Sequence, residues 1–256
     1  MPDRSSHPDG AFSWIDLTTP DLEGAKAFYT ALFGWETEAL PMPEGMGAYV
    51  MCRRRGRDAA AMSQSTEQPP HWNSYVTVES VDATAERAAG LGGTLLAPPF
   101  DVMDVGRMAV VQDPTGAVVC LWEARGHIGA GVVNEHGSLT WNDLATRDPE
   151  AAERFYSELL GWRFERIPES PIAYWTIYNG DRSNGGMRTM EQYPDQVPPH
   201  WLPYLAVDDL DAAMDSARGL VGRVDAGPLE VPAGRFALLT DPQGAAFALF
   251  AGEFDD

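Results

Sequence analysis

Trp14-Ile15-Asp16-Leu17, followed by Asp21-Leu22-Glu23, Phe28-Tyr29 and Gly34-Trp35, is the stretch that decides the fold, because the chain contains it twice. It returns as Trp141-Asn142-Asp143-Leu144, Asp148-Pro149-Glu150, Phe155-Tyr156 and Gly161-Trp162, at an offset of 127. Working outward, Pro69-Pro70-His71-Trp72 returns as Pro198-Pro199-His200-Trp201. Gly106-Arg107 with Asp113-Pro114-Thr115-Gly116 returns as Gly234-Arg235 with Asp241-Pro242-Gln243-Gly244. The offset stays between 127 and 129 across these pairs. A fixed period of this kind marks homologous structural units. The expected layout is a disordered leader over residues 1–10, a first domain over 11–123, a Gly-rich polar linker over 124–137 and a second domain over 138–252.

Within a half, Phe12 to Thr18 reads as a short alternating strand that stops at Thr19-Pro20-Asp21. A helix follows: Asp21 can cap it, Glu23 sits where the helix dipole favours acid, and Leu22, Ala25, Phe28, Tyr29 and Leu32 recur at helical spacing before Gly34. Strands are expected over 35–38, 48–53 and 59–64. After Pro69-Pro70 the cycle restarts with strand 74–78, helix 81–91 and strands 94–96, 107–112 and 117–123. Each half is thus two βαβββ units. One helix leaves the second face of such a unit's sheet bare, so units must pair and enclose a concave cleft suited to a small molecule.

The composition removes whole classes of function. A formal net charge of −20 over 256 residues repels phosphate backbones and anionic bilayers, so neither nucleic acid nor membrane is expected as a partner, and a cationic ligand is favoured. The same acidity can serve solubility alone. Cys52 and Cys120 are the two cysteines and lie in strand-like stretches without metal-knuckle spacing, which fits a reducing cytoplasm. There is no Gly-x-Gly-x-x-Gly loop, Walker motif, Gly-x-Ser-x-Gly elbow or His-Glu-x-x-His helix.

The pattern Asp-x-Glu-x-x-x-x-Phe-Tyr-x-x-x-x-Gly-Trp at Asp21 to Trp35 and at Asp148 to Trp162, with Asp-Pro-x-Gly before the last strand of each half, resembles the vicinal oxygen chelate superfamily. This is also called the glyoxalase/bleomycin resistance/dioxygenase family, here in its tandem two-domain form. The resemblance implies an α+β fold of four βαβββ units forming two glyoxalase-like domains with concave mixed sheets. It also implies a divalent metal held at three strand positions. Carried over, those positions are Trp14, Asn73 and Cys120 in the first half and Trp141, Leu202 and Ala248 in the second. Trp, Leu and Ala cannot ligate a metal, so no metal and no cofactor is expected. A register error of two residues would bring Asp16, Asp143, His71 or His200 to those places.

Trp14 and Trp141 would then wall the clefts, either as stacking surfaces for a planar ligand or as plugs where a metal was lost. Asp16 and Asp143, two residues on, face the same clefts and could take a ligand hydrogen bond, act as base, or cap a loop. His71 and His200 are candidate proton shuttles or parts of a rigid loop. The expected ligand-binding set is Trp14, Asp16, Tyr49, Met51, Asn73, Tyr75, Cys120 and Trp122, with Trp141, Asp143, Trp175 and Tyr204. The more polar first cleft is expected to bind more tightly.

The function these readings support is metal-independent binding or sequestration of an aromatic, cationic natural product. The resemblance implies a role in antibiotic resistance or biosynthesis, with anthracycline-, mitomycin- or bleomycin-like ligands. The alternative is a secondary-metabolism enzyme (lyase, isomerase, cyclase or hydroxylase-like) using Asp16 or Asp143 with His71 or His200. With two fused domains supplying the pairing, a monomer is expected, a homodimer being the alternative.

Overall fold

The computed structural model describes residues 3–41, 47–168 and 172–254. In the first half, β1 (Phe12–Thr19), α1 (Leu22–Phe33), β2 (Glu36–Leu40), β3 (Tyr49–Arg54) and β4 (Arg57–Gln64) form one unit. A second unit is formed by β5 (His71–Thr77), α2 (Val81–Gly90), β6 (Thr94–Val102), β7 (Gly106–Gln112) and β8 (Val118–Ala124). The second half repeats this as β9 (Leu139–Thr146), α3 (Pro149–Leu160), β10 (Arg163–Arg166), β11 (Tyr174–Asn179) and β12 (Arg182–Thr189), then β13 (His200–Ala206), α4 (Leu210–Gly219), β14 (Arg223–Val231), β15 (Gly234–Thr240) and β16 (Ala246–Gly252).

The units of each half join edge to edge through antiparallel β1–β5 and β9–β13 into two eight-stranded mixed sheets. Their orders are β2-β3-β4-β1-β5-β8-β7-β6 and β10-β11-β12-β9-β13-β16-β15-β14. The fold is therefore the expected α+β architecture of four βαβββ units.

The helix signals act as the sequence implies. Asp21 accepts a hydrogen bond from the Gly24 amide at 3.0 Å and Asp148 from the Ala151 amide at 2.9 Å, while Gly34 and Gly161 end α1 and α3 in left-handed conformation. The strand expected over 94–96 instead runs to Val102 through Pro98-Pro99. Its place at the sheet edge makes this possible, since an edge strand needs ladder donors on one side only.

The two halves share one apolar core. Phe12 of β1 packs its ring 5.4 Å from Trp162 and 4.9 Å from Trp201, and the buried cluster runs from Ile15 and Leu17 through both halves to Phe247 and Leu249. The recurring motifs are stitches across this seam. Tyr29, fully buried on α1, donates to Asp241 of the second half's Asp-Pro-x-Gly turn at 2.9 Å and accepts from Trp72 Nε1 at 3.1 Å. Asp241 meanwhile caps its own turn through the amides of Gln243, Gly244 and Ala245.

Residues 3–10 depart from the expected disordered leader. Asp3 bridges to Val132, the Arg4 amide donates to Gly131, and His7 meets the Ala130 carbonyl at 2.8 Å, because the linker strand offers them unpaired backbone groups.

The continuous core predicts that chemical denaturation shows one cooperative transition for both halves. Tyr29→Phe should keep the packing but strand the Asp241 carboxylate and the Trp72 indole, lowering stability by about 1–3 kcal/mol at an unchanged denaturant slope.

Candidate functional site

The concave face of each sheet carries an equivalent network of one carboxylate, two tyrosines and an indole, with Asn73 added in the first half. In the first half, Asp16 on β1 lies opposite Ala61 on β4 and Asn73 on β5, so alternation aims its carboxylate into the cleft. Tyr75 donates to Asp16 Oδ2 at 2.8 Å, Tyr49 to Oδ2 at 3.2 Å and Asn73 Nδ2 to Oδ1 at 2.8 Å, and Trp14 Nε1 donates to the Tyr49 hydroxyl at 3.3 Å. In the second half, Tyr204 donates to Asp143 Oδ2 at 2.7 Å, while Tyr174 and Trp141 Nε1 donate to Oδ1 at 2.8 and 3.0 Å. Burial and then the adjacent carboxylate push all four tyrosines well above the usual phenol range, so they stay protonated donors. A buried carboxylate without a counter-ion costs several kcal/mol, and only such donors make it tolerable.

Both carboxylates are thus spent on their own network. Each accepts three hydrogen bonds from neighbouring side chains, which makes both carboxylates organisers of the aromatic walls.

The first cleft is covered. The linker crosses it: the His127 ring stands edge-on to Trp14 at 4.7 Å, Trp122 Nε1 donates to the His127 carbonyl at 2.9 Å, and the Ala130 amide donates to the Ser13 carbonyl at 2.7 Å. Ala130 and Val133 join the cluster of Trp14, Met51, Ala61, Tyr75, Cys120 and Trp122. Gly129, at φ +98°, is required here because a Cβ would lie 2.4 Å from the Ser13 carbonyl oxygen. Trp14 keeps only 3% of its surface exposed. Stacking on Trp14 and tighter binding in the first cleft were expected from lining polarity, but the linker, which was read as a mere connection, occupies that space.

The second cleft has no such linker over it among the described residues. Trp141, Tyr174, Phe236, Leu238 and Phe250 are half-buried around Asp143, Leu202, Tyr204 and Ala248. Of the second-half residues expected here, Trp141, Asp143 and Tyr204 come together and Trp175 does not. Trp175 pairs with Met187 on the opposite face and packs toward the common core, and its neighbour Tyr174 takes the position of Tyr49. The error comes from a shorter β10–β11 connection, which drops the repeat offset to 125 from Met62 to Met187. Ala60-Ala61-Met62 against Gly185-Gly186-Met187 was the visible signal. Gly186 opposes Asp143 because a Cβ there would sit 1.9 Å from the Tyr174 hydroxyl and 2.3 Å from Asp143 Oδ1.

Sequence reasoning also missed Arg188, which turns the "apolar" second cleft into a charged one. It neighbours Tyr174 and Ala145 on the concave face, with its guanidinium 5.5 Å from the Tyr193 ring centroid. Burial opposes its charge, but Tyr204, Asp143, Tyr193 and Tyr174 outweigh that and hold it above the ordinary arginine value. The preference for a cation, drawn from net charge, does not describe this lining.

His200 closes the same end. Its Nδ1 lies 2.9 Å from the Pro198 carbonyl and burial lowers its pKa, so it is a neutral imidazole held by its Pro-Pro loop. His71 holds the Pro69 carbonyl and Asn73 in the covered half.

The metal that the resemblance implied does not fit these residues. Among the described residues no three His, Cys, Asp or Glu side chains converge. Cys120 is a buried thiol pushed up out of the thiolate range, and the remaining carried-over positions are indole, amide and aliphatic. A surface depression along α3, between Glu150, Glu153, Arg154, Ser157 and Glu158, has no aromatic wall. Among the described residues no helix is long and apolar enough to cross a membrane.

Burial raises the Asp16 pKa above the ordinary value, against the pull of its hydrogen bonds from Tyr75, Asn73 and Tyr49. The folded state then takes up this proton before the unfolded state does. Wild type should therefore gain stability relative to Asp16→Asn as pH falls through the raised value, the gain being complete below about 3.9. Denaturant midpoints of both proteins across that window check this, and a gap that shrinks instead would place the pKa below the ordinary value.

Two family descriptions match: Glyoxalase/Bleomycin resistance protein/Dioxygenase superfamily over residues 11–121, and Glyoxalase-like domain over 140–250. The chain is 42% identical to a Mycobacterium tuberculosis (strain CDC 1551 / Oshkosh) protein named "Putative glyoxylase CFP32", over 97% of each. It is 32% identical to "Anthracycline biosynthesis protein DnrV" of Streptomyces peucetius, covering 94% of this chain and 92% of that one. Among solved structures, the 2,3-dioxygenase LapB of Pseudomonas sp. KL28 superposes with a TM-score of 0.66 at 16% identity, over 97% of this chain and 95% of that one, a likeness of fold. The duplicated motifs, the paired sheets and these matches agree that the chain belongs to the glyoxalase/bleomycin resistance protein/dioxygenase superfamily.

Proposed function

We propose that this protein binds a planar aromatic natural product in its second cleft, without a metal, as part of secondary metabolism. The observation that carries this is the Trp141–Asp143–Tyr174–Tyr204 network, which replaces metal-ligand chemistry with a rigid aromatic floor in a cleft whose rim is Phe236, Leu238 and Phe250. Aromatic rings held at fixed angles favour a flat, stackable ligand, and the network orients the indole without consuming its face. The similarity to an anthracycline biosynthesis protein supports a fused-ring polyketide as ligand class. With Asp143 committed to three donors and His200 to its loop, binding is favoured over turnover.

Titration with anthracyclines, mitomycins and bleomycins, followed by Trp fluorescence, tests this. Fused-ring compounds should quench at micromolar concentration and be recovered chemically unchanged. Trp141→Ala should weaken binding by about 1–3 kcal/mol, and Trp14→Ala, beneath the linker, should leave it unchanged. No quenching across the panel, or loss confined to Trp14→Ala, would overturn the proposal. A new product on long incubation would make the protein an enzyme.

A further inference from the structure

Arg188 is 6% exposed, and its Nε and Nη2 atoms are buried with no hydrogen-bond partner. No described carboxylate lies within the 4.0 Å of an ion pair, and the nearest candidate on its face, Asp143, already accepts from Trp141, Tyr174 and Tyr204. The Tyr193 ring and the half-buried His200 stand beside it. A guanidinium is always charged, and leaving two of its nitrogens buried and unpaired is among the most costly arrangements a core can hold.

The identity of the two orphaned atoms says what is missing. Nε and Nη2 together form one flat edge of the guanidinium, the edge that grips two oxygens at once. The same chain shows that edge filled elsewhere. Arg55 uses Nε and Nη2 on the two oxygens of Glu135 at 2.8 and 2.5 Å, and Arg107 uses them on Asp82 at 2.7 and 2.9 Å. Among the described residues no such acceptor reaches this edge of Arg188. The feature is also confined to one half. The register that sets Arg188 two residues beyond the partner of Asp143 sets Ser63 two beyond the partner of Asp16, and Ser63 simply donates to the Leu17 carbonyl.

We infer that Arg188 is the anion-recognition residue of the second cleft, gripping a carboxylate, or an equivalent pair of adjacent anionic oxygens, carried by the ligand's ring system. This rests on the second cleft being the binding site and adds the chemical class: an acidic aromatic compound in place of a cationic one. Ring stacking against Trp141 and a two-oxygen grip by Arg188 would fix both the plane and the in-plane direction of the ligand.

A hydroxynaphthoate and its methyl ester share a ring and differ in the anionic edge, so they serve as probes, with inorganic phosphate as the ringless anion. Wild type should bind the acid more tightly than the ester. Arg188→Met should weaken the acid by roughly 10- to 150-fold while leaving the ester unchanged, and Arg188→Lys, which keeps charge but loses the flat edge, should fall between. Without ligand, Arg188→Met should melt at the same or a higher temperature than wild type, because it removes an unpaired buried charge.

Equal binding of acid and ester to wild type, an unaltered acid affinity in Arg188→Met, or failure of all three probes to bind would overturn the inference. So would a lower melting temperature for ligand-free Arg188→Met, which would reveal a structural partner. If Trp141→Ala weakens acid and ester alike while Arg188→Met weakens neither, the aromatic site stands and only its anion grip falls. Phosphate binding as tightly as the acid, and lost in Arg188→Met, would keep the anion grip and remove the ring from it.

Discussion

A carboxylate buried on the inner face of a sheet, with no described cation within ion-pair distance, must collect hydrogen-bond donors from neighbouring strands, and that demand organises both clefts. Asp16 and Asp143 each draw in two tyrosines, and an indole completes each network, through the Tyr49 hydroxyl in one half and directly on the carboxylate in the other. The two tyrosines of each network come from different strands, so the network fixes the relative placement of β1, β3 and β5, and of β9, β11 and β13. The aromatic floor of the cleft follows from satisfying one acid.

Duplication let the two copies diverge while sharing a core. The first copy lies under its linker, with Gly129 allowing the close pass over Ser13 and His127 sealing Trp14. The second copy keeps a half-buried aromatic rim and gained Arg188 where the first has Ser63. Because Tyr29 and Asp241 tie the halves through the common interior, the covered copy still supports the other mechanically. One cleft is covered by the chain's own linker, while the other keeps a half-buried aromatic rim.

The fold was legible because its signals are local and repeated. Asp21 and Asp148 cap helices, Gly34 and Gly161 end them, and the doubled Phe-Tyr and Asp-Pro-x-Gly motifs count the units. Of the site, the positions Trp14, Asp16 and Tyr75 on β1 and β5, and Trp141, Asp143 and Tyr204 on β9 and β13, follow from period-two alternation. Alternation does not give phase across connections of unequal length, so it points to Trp175 where Tyr174 faces the cleft. Nor could it give the path of a linker, which depends on backbone pairing with Ser13 and Asp58 rather than on any side-chain pattern. Arg188 escaped notice because a single arginine at a strand end reads as surface. Only its burial and its two empty donors mark it as something else.

The most direct measurement is a crystal structure of the protein with an aromatic carboxylate bound. The account predicts ligand density in the second cleft alone, its ring against Trp141 and its two acid oxygens on Nε and Nη2 of Arg188, with residues 127–133 still covering Trp14. Density against Trp14 with that segment displaced, or a ligand in the second cleft turned away from Arg188, would contradict it.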